Sequence, residues 1–108
     1  TKGHQAGDRA LREIALVIGE NIRSSDTAAR WGGDEFVLLT PVDGEKALAL
    51  AAKLRGLLLG LDHEGFGPVT CSIGVATCQD GDDIDSLVKR ADLALYRVKK
   101  RGGDGVSS

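Results

Sequence analysis

Three stretches of the chain repeat their apolar residues with the period of a helix, and short apolar runs lie between them. That alternation limits the fold more than any other feature. The first stretch runs from about Asp8 to Ile22, with Leu11, Ile14, Ala15, Ile18 and Ile22 on one face. The i, i+3, i+4, i+7 pattern predicts an amphipathic helix, and "RSSD" at 23–26 ends it with helix-poor residues. Asp43 reads as the N-cap of a second helix reaching about Leu61, with Ala47, Leu50, Ala51, Leu54, Leu57, Leu58 and Leu61 inward. A third helix runs from about Ile84 to Lys100, with Leu87, Val88, Ala91, Leu95 and Val98 inward, and Gly102 and Gly103 stop it. "AARW" and "EFVLL" flank Gly32-Gly33 and read as a β-hairpin, because a tight hairpin turn needs positive φ. "DHEGFGP" is a loop. In "VTCSIGVAT", Val69, Cys71, Ile73 and Val75 alternate as a strand does, and "QDGDD" is a turn. The order helix, hairpin, helix, strand, helix predicts an α+β domain with helices packed on a mainly antiparallel sheet. Three strands make a thin sheet for three helices and point to a further one.

A chain of 108 residues is long enough for one core. Its net charge of -2 excludes a generally basic nucleic-acid binder, so any anion must be met by a local cluster. No run approaches the ~18 apolar residues of a membrane span, and "LRGLLLGLD" is short and interrupted. "TKGHQAGD" is unlike a signal peptide and lacks an initiator methionine, so the chain is expected to begin inside a larger protein. Cys71 and Cys78 fall on opposite faces of a strand-like stretch, and at roughly 3.3 Å per residue they lie beyond disulfide reach. No CxxC or Cys/His cluster suggests zinc. Two reduced thiols in a cytoplasmic domain are the expectation.

The chemistry concentrates in "RWGGDEFVLL", residues 30–39. Adjacent carboxylates such as Asp34 and Glu35 repel unless a cation relieves them. Magnesium takes one or two carboxylates together with substrate phosphates, and a hairpin tip would hold such ligands still. An acidic, solvated turn explains the same residues, so both readings stand on chemistry alone. Elsewhere the residues have structural readings of their own. Asp8 suits a helix N-cap. Lys99 belongs to a set of cations favoured near a helix C-terminus, with Lys89, Arg90, Arg97, Lys100 and Arg101. Arg23 and Asp26 read as a surface ion pair, His4 as a structural residue in the loop before the first helix, and Trp31 as a packing residue.

Four segments in register change the weighting. "GGDEF" at 32–36, "GHQAGD" at 3–8, "SIGVAT" at 72–77 and "LVKRADLALYRVKK" at 87–100 together resemble the GGDEF family, the diguanylate cyclases. The resemblance covers nearly the whole chain, 1–108. It implies a palm-like fold related to nucleotide cyclases and polymerases. It also implies an enzyme that makes cyclic di-GMP from two GTP molecules. In such enzymes two domains face each other as a homodimer, each holding one GTP with magnesium or manganese, and each 3′-hydroxyl attacks the other's α-phosphate. By the same resemblance Glu35 is a metal ligand, and Asp34 is a base for the 3′-hydroxyl or a second metal contact. Gly32 and Gly33 let the backbone approach the phosphates. Asp8 accepts from guanine N1–H and N2–H₂, and Lys99 binds terminal phosphates. Arg23 and Asp26 match the family's RxxD motif, a product-inhibition site, for which an arginine can reach the Hoogsteen edge of guanine and phosphate. Lys53 falls near a further basic position of that site. No nucleic acid or membrane contact is implied for this segment, any membrane anchor belonging to other domains.

Two departures matter. The family's "GRN" is "GGD" here, with Gly103 in the arginine position and Asp104 for asparagine, which leaves Arg101 as a substitute phosphate cation. The family's DxDxFKxxND segment, its first strand and the helix before it are expected to precede Thr1. That segment supplies a metal aspartate and a guanine-binding asparagine, so residues 1–108 alone are expected to be inactive. The alternative is a non-catalytic GGDEF module that binds cyclic di-GMP or GTP to regulate an adjoining domain.

Overall fold

The strand at Glu35–Thr40, β2, is buried from Phe36 through Thr40 without a break. A strand that is apolar on both faces must be covered on both, and this dictates the layering. In the computed structural model, which describes the backbone of residues 2–63, 67–68 and 70–108 and the side chains of 12–61 and 70–108, three helices sandwich the sheet. Phe36 and Leu38 pack with Ile14 of α1 (Lys2–Asn21) and with Ala47, Ala51, Leu54 and Leu58 of α2 (Gly44–Leu59). Val37 and Leu39 pack with Ala91 and Leu95 of α3 (Ile84–Lys100) on the opposite face.

The main sheet has four strands in the order β1-β2-β5-β6, with β1 at Thr27–Arg30, β5 at Ser72–Thr77 and β6 at Val106–Ser107. β1 and β2 form the expected hairpin, antiparallel with Arg30 opposite Phe36. The expectation of a mainly antiparallel sheet is corrected. β2 pairs with β5 in parallel, Glu35 opposite Ser72, and β5 pairs with β6 in parallel. The cause is α2, a helical crossover that returns the chain to the same end of the sheet before β5 begins. Two short strands in the loop after α2, β3 (Asp62–His63) and β4 (Gly67–Pro68), pair antiparallel where only a loop is expected. Each spans two residues, too few for periodicity to register, as is true of β6.

The helices carry the expected punctuation. The Asp43 carboxylate accepts from the Lys46 amide at 3.0 Å and caps α2. At α3, Asp83 and Ser86 form a reciprocal capping box. After α3, Gly102, Gly103 and Asp104 all take positive φ, and the Gly103 amide donates to the Val98 carbonyl. α1 begins earlier than expected. His4 and Asp8 lie on its helical backbone, so His4 is not in a preceding loop and Asp8 is not an N-cap; their side chains lie outside the described residues, as does Val69. Leu57, expected inside, is exposed.

Gly74 of β5 sets the distance to α3. A β-carbon there would stand 2.3 Å from the Ala91 carbonyl oxygen and 2.6 Å from the Leu95 nitrogen. The helix therefore lies directly on the strand backbone, a close approach only glycine permits. Among the described residues, no helix is long and apolar enough to cross a membrane.

Candidate functional site

The hairpin tip holds the two carboxylates in different settings. Asp34 is exposed, and its carbonyl accepts from the Ser72 amide at 2.8 Å. Glu35 opens β2, and its side chain is 22% exposed. Both Trp31 and Gly32 amides donate to the Glu35 carbonyl, at 2.6 and 3.3 Å, and Arg30 Nε donates to the Gly33 carbonyl at 3.3 Å. The turn is thus tied to its own strands.

The glycines are not used as expected. Neither Gly32 nor Gly33 is among the residues with positive φ. Gly32 is needed for space, since a β-carbon there would lie 2.6 Å from Glu35 Oε2. The carboxylate folds back over the place where any other residue would carry a side chain. At Gly33 an added β-carbon would meet nothing within 4 Å, so the backbone faces open space. Trp31, expected to pack, is exposed at 47% and contributes its amide to the turn.

Lys99, far away in sequence, completes the cluster. It rides in the last turn of α3, and its Nζ stands 2.6 Å from Glu35 Oε1. The hydrogen bond and charge of Glu35, with the charge of Asp34 behind them, raise the Lys99 pKa above its ordinary value. The seating of α3 on Gly74 makes this meeting possible. The structure therefore brings together Asp34, Glu35 and Lys99, with Gly32 and Gly33 beneath them.

Arg101 does not join them. Its guanidinium donates to the carbonyls of Arg97 and Val106, at 3.3 and 3.2 Å. Asp104 pairs with Arg55 of α2 at 3.0 Å, and its amide donates to Ser72 Oγ, also at 3.0 Å. Arg55 and Ser72 are absent from the sequence-derived candidates. The pairing of Arg55 with Asp104 depends on how α2 and the loop after α3 meet, which no local pattern encodes.

Arg23 and Asp26 lie at the other end of the hairpin. The length of β2 separates them from the tip, roughly 20 Å at the rise of a strand. They do not form the surface ion pair the sequence suggests. Asp26 is buried at 8% exposure, and its carboxylate accepts from the Arg23 amide and the Thr40 hydroxyl. Arg23 and Lys53 are exposed.

Among the described residues, no group of three or more His, Cys, Asp or Glu side chains is arranged to hold a metal ion. Two hard carboxylates suit magnesium nonetheless, because that ion commonly takes one or two carboxylates and completes its shell with phosphate and water. The ammonium of Lys99 on Glu35 shows that this carboxylate is placed to receive a cation.

The family model described as "Diguanylate cyclase, GGDEF domain" matches residues 1–105. The chain is 42% identical over 107 residues to diguanylate cyclase DgcM of Escherichia coli, covering 96% of this chain and 26% of the relative. It is 40% identical over 113 residues to response regulator PleD of Caulobacter vibrioides, covering 98% of this chain and 25% of the relative. It is 40% identical over 112 residues to diguanylate cyclase A of Treponema denticola, covering 99% of this chain and 30% of the relative. The chain thus spans between a quarter and a third of the length of these curated relatives.

Proposed function

Because the chain belongs to the GGDEF domain family of diguanylate cyclases, we propose that it forms the catalytic domain of an enzyme condensing two GTP molecules into cyclic di-GMP. The observation that carries this reading is the 2.6 Å contact between Lys99 and Glu35. It joins a cation suited to terminal phosphates and a carboxylate suited to a metal, from opposite ends of the chain.

Glu35 and Asp34 hold the divalent cation, magnesium or manganese. When bound, that cation neutralises charge developing on the α-phosphate. Asp34, the more exposed carboxylate, is free to accept the proton of the attacking 3′-hydroxyl. The open backbone at Gly33 lets the phosphates approach main-chain amides. Lys99 exchanges Glu35 for the terminal phosphates as substrate enters. Asp8 accepts from the guanine edge. Each GTP-loaded domain supplies one half of the reaction, so the active form is a homodimer. Product feeds back at the turn carrying Arg23 and Asp26, with Lys53 as a further cation.

The test is GTP turnover with magnesium, measured for residues 1–108 alone and for the natural protein containing them. The reading expects product from the latter and none from the former. No turnover by the natural protein, with cyclic di-GMP or GTP still bound, selects the second reading, a nucleotide-binding regulatory module. Gly103 favours that second reading, since no side chain replaces the phosphate arginine and Arg101 is turned to backbone carbonyls.

A further inference from the structure

Asp26 is a buried carboxylate in a motif otherwise read as a surface site for ligand. Its Oδ2 accepts from the Arg23 amide at 2.9 Å, and its Oδ1 accepts from the Thr40 hydroxyl at 2.5 Å. The turn closes from the other side as well, the Asp26 amide donating to the Arg23 carbonyl at 3.0 Å. Thr40 is itself 2% exposed, at the end of β2, and its Oγ1 also accepts from the Val42 amide at 3.3 Å. One carboxylate thus ties the end of α1, the start of β1 and the end of β2 together. Arg23 differs. Its backbone is held, while its exposed side chain makes no hydrogen bond or ion pair among the described residues.

We propose that Asp26 serves the product site as a positioning residue, clamped by Thr40, that presents the Arg23 guanidinium without touching the cyclic dinucleotide itself. The inference rests on the reading of Arg23 as a product contact and deepens it by adding Thr40, a residue with no access to solvent. A carboxylate with both oxygens engaged inside the chain would have to surrender one of two buried bonds to reach a ligand. The arrangement needs no such exchange if the ligand meets only Arg23. A fixed backbone then limits the rotamers that the arginine loses on binding.

The test measures cyclic di-GMP affinity by titration, and hydrogen exchange of the Arg23 amide, in the natural protein. Arg23→Ala is expected to weaken binding at least tenfold by removing a charge-assisted contact. Thr40→Val, nearly isosteric but without the hydroxyl, is expected to weaken binding severalfold to tenfold and to speed Arg23 amide exchange. Thr40→Ser restores the hydroxyl and is expected to restore both. Asp26→Asn is expected to behave like Thr40→Val, and thermal unfolding of each variant checks that it is folded. Wild-type affinity in Thr40→Val with binding lost in Asp26→Asn would mean that Asp26 touches the ligand, and would overturn the proposal. Unchanged Arg23 amide exchange in both variants would overturn it too. Wild-type affinity in Arg23→Ala would instead remove the product-site reading, and the inference with it.

Discussion

Replacing Gly74 by alanine tests whether one strand–helix contact governs both stability and the site. The new β-carbon would lie 2.3 Å from the Ala91 carbonyl oxygen, 2.6 Å from the Leu95 nitrogen and 2.8 Å from the Leu95 β-carbon. Comfortable separation is about 3.5 Å or more, so α3 must retreat by about 1 Å. The obstructing atoms are mainly helix backbone, which no rotamer change can move. Overpacking of this kind costs about 1–3 kcal/mol, and a backbone clash belongs at the upper end. At roughly 4–8 °C per kcal/mol for a domain of this size, Tm should fall by about 10–20 °C. Lys99 sits one helical turn beyond Leu95, so the retreat also stretches its 2.6 Å contact with Glu35. The KM for GTP should rise even where the variant remains folded. Gly33→Ala is the control, because its β-carbon meets nothing within 4 Å and its φ is not left-handed. Its stability should stay within about 0.5 kcal/mol of the parent, while phosphate approach, and with it turnover, suffers. Thermal unfolding followed by circular dichroism, together with GTP kinetics, reads both effects. A Gly74→Ala protein melting within about 2 °C of the parent would refute the argument.

Glu35→Ala and Asp34→Ala should each abolish GTP turnover while changing stability by no more than about 1 kcal/mol, since the Lys99–Glu35 pair is substantially exposed; near-normal product formation by either would defeat the catalytic assignment. Because the Lys99 pKa is raised by Glu35, the ion pair should be complete below the ordinary value of 10.5 and be lost only as pH climbs through the raised one, which an NMR titration of the Lys99 side chain can follow. Burial pushes the Cys71 thiol from 9.0 to about 11, against the opposing pull of Arg55, whereas Cys78 is exposed. A thiol reagent should therefore label Cys78 alone in the native protein. Stability should decline as pH rises from 9.0 towards 11, because the unfolded chain ionises Cys71 first; pH-dependent denaturant titration checks this. Asp83→Ala should cost about 1 kcal/mol by opening the capping box of α3, read as a lower denaturation midpoint.

The helices were legible because their information is local. Periodicity placed α2 and α3 nearly to the residue, and Asp43 and the Gly102-Gly103 stop followed from side-chain capping and φ preference. The hairpin and its acidic tip were legible for the same reason, as were the residues that carry the family resemblance. The role of the glycines was not. Positive φ is the usual reason for glycine in a tight turn, but at Gly32 the constraint is the volume of the Glu35 carboxylate, and at Gly74 it is the backbone of α3. Strand direction also escaped the sequence, since parallel and antiparallel partners present the same alternation and only the path of α2 across the sheet distinguishes them.

The site divides along the same line. Asp34 and Glu35 are neighbours in the chain, so their pairing needed no structure. Lys99 reaches Glu35 only because α3 lies on Gly74, and Arg55 reaches Asp104 only because α2 passes the loop after α3. Asp26 shows the limit most plainly: its spacing from Arg23 is written in the sequence, but its burial against Thr40 is not. Residue type and spacing determine which chemistry a local segment can support. Which distant side chain neutralises a carboxylate, and whether that carboxylate faces water or the interior, depends on how the helices and strands pack, which is settled by shape complementarity across the whole core.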